Sequence, residues 1–199
     1  YFIEGPSGSG KSTLLRDIIA NAATIFNPPP VEIIICYSIY QPLYDSYEAS
    51  VPLKFVDGLQ MMDSLPKDRL SRIIVYDDLM DAISTSQEIA DFYTKYSHHY
   101  NYSIITLVQN LFHQGKYFRT ISLNCHHFWL LKSVRDYSVI KNIGRQMGQQ
   151  KFVFESYMDA IKDSRFGYLF LNCSPACDDL ARVRAKIFEN PSVVYLPKP

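Results

Sequence analysis

Three things are scarce or missing in this 199-residue sequence, and each absence excludes a class of protein. The formal net charge at pH 7 is zero, which argues against a uniformly basic nucleic-acid binder. No apolar run approaches the ~18 residues of a membrane-spanning helix, so we expect no membrane span. The four cysteines match no common zinc spacing, which favours reduced thiols in an intracellular compartment.

The charges that do occur are unevenly distributed. Residues 45–91 carry ten acidic and four basic side chains, whereas residues 113–151 carry seven basic and one acidic. One interpretation is two solvated faces. The other is an electropositive surface that faces a polyanion or the next subunit of an assembly.

A glycine-rich segment near the start matches the phosphate-binding pattern G-x-x-x-x-G-K-[ST] over Gly5–Ser12. Its glycines permit a backbone whose N–H groups point at phosphate oxygens. Lys11 would supply a mobile positive charge for the β- and γ-phosphates, and the Ser12 hydroxyl would be a ligand of Mg²⁺. The alternative is a glycine-rich turn without a ligand. If the pattern is a nucleotide site, the contacting residues are Gly5, Pro6, Ser7, Gly8, Ser9, Gly10, Lys11, Ser12 and Thr13.

The surrounding pattern predicts an α/β fold, a P-loop NTPase with a mostly parallel central sheet flanked by helices. We expect helices over 13–23, over 84–96 with Ser84 as the N-cap, and around 135–147. The predicted strands cover 1–3, 31–37, 54–56, 73–76, 103–108, 127–131 and 167–171. Residues 1–199 are interpreted as one ATPase domain, excised from a longer chain because the sequence starts with Tyr1.

Two adjacent acids follow the strand predicted over 73–76. Asp77 at the strand end would hold Mg²⁺, and Asp78 would orient and polarise the attacking water. A pair of loop acids that cap the next segment is the alternative. Because strand 31–37 lies between Ser12 and Asp77, we expect the acid strand not to be the next strand in sequence order after the phosphate-loop strand. That order is typical of the additional-strand, catalytic-acid class, and the N-K-x-D motif of GTPases is missing.

Two further polar residues complete the predicted catalytic set. Gln109 ends the strand over 103–108, where it could hold the water or sense the γ-phosphate, or could simply cap the strand. Arg119 could stabilise the charge that develops during phosphoryl transfer, supplied from a neighbouring subunit. Arg135 and Arg145 compete for that role.

With these residues in place, nearly the whole chain resembles the genome-packaging ATPases of the FtsK/HerA superfamily. It is most similar to the poxvirus-type enzymes, which also occur in virophages and Maverick/Polinton elements. The segments that carry the resemblance are Gly5–Ser12, Ile73–Met80, Ser97–His99, Val108–Phe112, Arg119–Asn124, Arg135–Asp136 and Gly167–Leu169. Many superfamily members have Asp-Glu where this chain has Asp77-Asp78.

The resemblance implies a homo-oligomeric ring that drives double-stranded DNA into a preformed capsid by hydrolysing ATP with Mg²⁺. Viral capsid or portal proteins would be its partners. It would work inside the host cell, in the nucleus or a cytoplasmic viral factory, or in association with the virion. The basic residues Lys132, Lys141, Arg145 and Lys151 would contact DNA. A ring helicase or DNA pump unrelated to capsids, and a small-molecule kinase, remain as alternatives.

Overall fold

The computed structural model describes residues 1–111 and 114–197, and its chain divides into two compact units. The first unit contains Tyr1, residues 12–108 and residues 114–124. The second contains residues 2–11, 109–111 and 125–197. Phe112 and His113, where the resemblance segment ends and the basic stretch begins, lie outside the described residues.

Four parallel strands form the sheet of the first unit, in the order β3-β2-β4-β5. Their bounds are β2 Glu32–Tyr37, β3 Leu53–Asp57, β4 Arg72–Asp77 and β5 Tyr102–Val108. The residues of β4 are all buried, as its run of apolar residues predicts for a strand covered on both faces. Both edges of β4 are occupied, by β2 and β5.

The α-helices of this unit precede, separate and follow its strands. They are α1 Lys11–Ala20, α2 Ala22–Ile25, α3 Met80–Thr85, α4 Gln87–Asp91, α5 Ser97–His99 and α6 Phe118–Leu123, with a π-helical stretch over Phe92–Tyr96. The predicted helix over 13–23 is observed as α1, which buries Leu14, Leu15, Ile18 and Ile19, and the short α2. The predicted cap Ser84 is wrong, because its hydroxyl donates to Asp81 O inside α3. Ser86 caps α4 instead, by accepting from Ile89 N at 3.2 Å.

The strands of the second unit are not all parallel. Its strands are β1 Phe2–Glu4, β6 His127–Leu131, β7 Tyr168–Asn172, β8 Val183–Ala185 and β9 Val193–Tyr195, in the order β1-β6-β7-β8-β9. β1 and β6 are parallel, whereas the pairs from β6 to β9 are antiparallel. The α-helices among the described residues of this unit are α7 Ser138–Gln146 and α8 Gln150–Ile161.

Taken over both units, the fold is α/β with a mostly parallel sheet and flanking helices, as the sequence predicts. No helix in residues 1–111 and 114–197 is long and apolar enough to cross a membrane.

Candidate nucleotide site

The glycine-rich segment forms a loop between β1 and α1. Gly8 and Gly10 adopt φ values of +75° and +100°, in the left-handed region that favours glycine. Gly5 is needed for a different reason, because an added Cβ would lie 2.9 Å from Leu131 Cβ at the end of β6. The register of β1 with β6, which pairs Glu4 with Leu130, brings these two segments side by side.

Lys11, the first residue of α1, folds back over this loop. Its ammonium donates to Gly5 O at 2.7 Å and to Pro6 O at 3.1 Å, which fixes the positive charge at the loop. Pro6, Ser7 and Gly8 are exposed. The loop therefore presents a cation, solvent-facing backbone and a helix start together, which suits an anionic ligand.

Ser9 supplies the clearest sign of a ligand. Its side chain is only 7% exposed, and Ser9 Oγ has no hydrogen-bond partner among residues 1–111 and 114–197. A buried hydroxyl without a partner costs on the order of 1–3 kcal/mol, and phosphate oxygen would remove that cost. The loop thus fits the phosphates of a nucleotide.

Glu4 is a buried carboxyl group directly before the loop. It is 6% exposed, and burial raises its pKa to about 7, although the Lys11 ammonium opposes the rise and Asp136 adds to it. The sequence pattern did not single out this residue, because the phosphate-binding motif begins at the next position.

In the first unit the two predicted Mg²⁺ ligands, Ser12 and Asp77, both contact side chains of the segment 41–47. Ser12 Oγ donates to Gln41 Oε1 at 3.2 Å, and the Tyr47 hydroxyl donates to Ser12 O at 2.8 Å. The Tyr44 hydroxyl donates to Asp77 Oδ2 at 2.7 Å, and both residues are buried. Ser12 and Asp77 are hard oxygen donors, the ligand type that Mg²⁺ prefers. Thr13 follows Ser12 in the first turn of α1.

The ring centroids of Tyr44 and Tyr47 are 5.4 Å apart in an edge-on contact. Burial and the Asp77 carboxylate raise the pKa of Tyr44, so its hydroxyl stays protonated and donates. Tyr44 and Tyr47 lie 33 and 35 residues along the chain from their partners. Nothing in the local sequence pattern of residues 42–70 reveals this contact.

Asp78 adopts a different environment from Asp77. It is exposed, accepts from Ser38 Oγ at 3.4 Å and has φ +56°. Aspartate tolerates this left-handed conformation better than most residues, at a cost of roughly 1 kcal/mol. Strained backbone of this kind is often found at functional sites, which keeps Asp78 as the candidate water-orienting residue.

The remaining predicted residues lie on exposed positions. Gln109 directly follows β5 at Val108. Arg119 lies on α6, Arg135 precedes α7 and Arg145 occupies its last turn. None of the three guanidinium groups makes an ion pair within the described part of the chain, so the structure does not choose between them.

No protein-family model and no curated protein matches this chain. Solved structures do match it. B204, the DNA-packaging ATPase from Sulfolobus turreted icosahedral virus, aligns over 100% of this chain and 97% of its own with a TM-score of 0.57. The genome packaging NTPase B204 of Sulfolobus turreted icosahedral virus 2, in complex with ATPγS, gives the same coverage and a TM-score of 0.56. Identity is 10% in both cases, so the likeness establishes the fold, that of P-loop NTPases.

Proposed function

We propose that this chain is an ATP-hydrolysing motor subunit that moves double-stranded DNA into a preformed viral capsid. The observation that carries the proposal is a phosphate loop in a fold that aligns from end to end with genome packaging NTPases. The whole span 1–199 acts as one ATPase domain. The motif resemblance to the poxvirus and Maverick/Polinton enzymes supports, as part of this proposal, an assignment to that branch of the FtsK/HerA superfamily.

In this proposal Gly5–Thr13 bind the nucleotide, and Lys11 stabilises charge on its β- and γ-phosphates. Ser12 and Asp77 would hold Mg²⁺, which when bound neutralises phosphate charge. Asp78 orients the attacking water, and Gln109 senses the γ-phosphate. Arg119, exposed on α6, reaches the nucleotide of a neighbouring subunit in a homo-oligomeric ring. The ring would dock on capsid or portal proteins inside the host cell.

The DNA contact is best assigned to α7. Lys141 and Arg145 are four residues apart on this helix, and both are exposed. Lys141 also lies 5.2 Å from the centre of the Phe154 ring. Of the other candidates, Lys132 donates to Ser164 O at 3.1 Å and Lys151 lies 3.8 Å from Glu155, so the ammonium groups of both already have an oxygen partner within the chain. A motor must grip backbone phosphate without reading bases, a task that such lysine and arginine side chains can perform.

The test is phosphate release from ATP with and without duplex DNA, combined with native mass spectrometry. We expect DNA to stimulate release and the chain to form a ring. Replacing Lys141 and Arg145 with Ala should weaken DNA binding uniformly across sequences and lower the salt slope by roughly 1–2, while basal turnover survives. Transfer of phosphate to a small molecule would instead support a kinase. Broken rings with an unchanged salt slope would show that these residues join subunits.

A further inference from the structure

An aromatic ring of the second unit lies directly against the phosphate loop. A Cβ added to Gly10 would lie 2.7 Å from Phe166 Cδ1, so only glycine at this position leaves room for the ring. Phe166 belongs to the short segment between α8 and β7. Neither the phosphate-binding motif nor the resemblance segments include it.

The segment that carries Phe166 is anchored by its own hydrogen bonds. Lys132 N donates to Gly167 O at 2.9 Å, and Lys132 Nζ donates to Ser164 O at 3.1 Å. Phe166 N donates to Ser164 Oγ at 3.2 Å. Gly167 is packed so closely that an added Cβ would lie 2.8 Å from Ala160 O. The backbone that carries the ring is therefore held in place before any ligand binds.

Although it touches the loop, the ring is 43% exposed. The guanidinium carbon of Arg165 lies over one face of the ring, 5.2 Å from its centre, so the opposite face is the one left for a ligand, and Arg165 makes no ion pair within residues 1–111 and 114–197. An anchored aromatic face and a cation thus lie together at the margin of a loop that fits phosphates. An exposed aromatic face of this kind stacks on a nucleobase, because every base has a π-face.

We propose that Phe166 is the stacking surface for the base of the bound nucleotide, with Arg165 as a cation beside it. This inference rests on the proposed function, since it adds a base subsite to the same phosphate loop. A nucleotide whose phosphates contact Gly8–Lys11 has its nucleoside within reach of the ring that touches Gly10. Stacking accepts any base, so the subsite should favour purines for their larger surface and distinguish weakly between ATP and GTP.

The test compares two probes, ATP and inorganic tripolyphosphate, by calorimetry on the full chain. Phe166→Ala should weaken ATP binding by roughly 5- to 100-fold, the loss expected for one stacked base, and leave tripolyphosphate binding unchanged. Phe166→Trp should retain ATP affinity. Phe166→Leu keeps an apolar side chain against Gly10, so it serves if the Ala variant does not fold, and it should show the same selective loss.

Phe188→Ala is the matched control, because Phe188 is an aromatic residue of the same unit that stacks on Trp129. It should leave the affinities for both probes unchanged. Equal weakening of both probes in the Phe166 variants would show that the ring merely supports the loop, and unchanged ATP affinity would show that it touches no base. Either result overturns the inference about Phe166 but leaves the proposed function standing. If the parent chain binds neither probe, the proposed function fails and the inference with it.

Discussion

The phosphate loop and the segment 38–47 treat their polar groups in opposite ways. The loop leaves the buried Ser9 hydroxyl without a partner in the described chain and exposes Gly8. The segment 38–47 instead joins its polar side chains to partners, through the contacts Ser38–Asp78, Gln41–Ser12, Tyr40–Asp45, Tyr44–Asp77 and Tyr47–Ser12. The loop has a buried hydroxyl that a bound ligand could hydrogen-bond. The segment 38–47 instead makes hydrogen bonds to Ser12, Asp77 and Asp78, the residues proposed to act on that ligand.

Binding the phosphates and positioning the catalytic side chains therefore depend on different parts of the sequence. Binding is carried by a short contiguous motif, because a loop of glycines and one lysine can surround phosphate locally. Positioning is carried by side chains distant in sequence, which buried hydrogen bonds hold in place. Changes in the loop should therefore abolish function, and changes in segment 38–47 should adjust it.

Outside both regions, neither of which contains an arginine, the largest effect is expected at Arg119. Arg119→Ala should retain ATP binding and lower turnover by roughly 10³-fold or more, because charge stabilisation from a neighbouring subunit is lost. Mixing it with Asp78→Asn subunits should restore some phosphate release, since a mixed interface can pair an intact Arg119 with an intact Asp78. Rings proven to be mixed that show no rescue would argue against a role across the interface.

The next largest effects are expected at Asp77 and Asp78, whose substitutions should change different steps. Asp78→Asn is expected to bind ATP·Mg²⁺ normally and to turn over roughly 10²–10⁴ times more slowly, because it loses the group that polarises water. Asp77→Asn should mainly weaken Mg²⁺-dependent binding. Titration of nucleotide with and without Mg²⁺, alongside turnover, measures both. Equal losses of affinity in the two variants would refute this division.

Glu4 gives the loop a pH dependence. Its folded-state pKa of about 7 lies above its ordinary value of 4.5, so the folded chain holds a proton that the unfolded chain has released. Stability should therefore fall as pH rises from about 4.5 to 7, by up to about 3 kcal/mol. Glu4→Gln should remove this fall, which chemical denaturation at pH 4 and pH 8 would detect. The exposed Glu48→Gln is the control, and equal pH profiles for parent and Glu4→Gln would be the contrary result.

The smallest effect tests the segment 38–47 directly. Tyr44→Phe removes the hydroxyl that donates to Asp77 and keeps the ring, so the carboxylate loses one of the contacts that orient it. We expect the Mg²⁺ concentration for half-maximal turnover to rise roughly 10-fold, as is usual when a metal ligand loses a supporting hydrogen bond. Tyr40→Phe, whose hydroxyl donates to Asp45, should leave the requirement unchanged. A Tyr44→Phe variant with an unaltered Mg²⁺ requirement would remove Tyr44 from the account.

The sequence predicts the parts of this molecule that depend on local patterns. The strands β2, β4 and β5 were predicted because each is a short apolar run, and their residues are buried in the sheet. Helix α8 and the three-residue strands β8 and β9 were missed. In α8 the half-buried Phe152 and Phe154 lie outside the buried face and blur its periodicity, and three residues are too few for a pattern.

The candidate site divides in the same way. The motif predicts Gly5–Ser12 because its residues are contiguous. The contact of Tyr44 with Asp77 arises only when β2 and β4 pair in parallel, and that of Phe166 with Gly10 only when the chain folds back before β7. Such contacts depend on the fold, so a single sequence offers no signal for them.

The most direct test of the central claim is ATP turnover by Lys11→Ala in the presence of duplex DNA. The substitution removes the ammonium that donates to Gly5 O and Pro6 O. It keeps the glycines, whose backbone conformation forms the loop. The account predicts that the parent releases phosphate and that Lys11→Ala, with an unchanged melting temperature, releases none above background. Turnover by Lys11→Ala at the parent rate would contradict it.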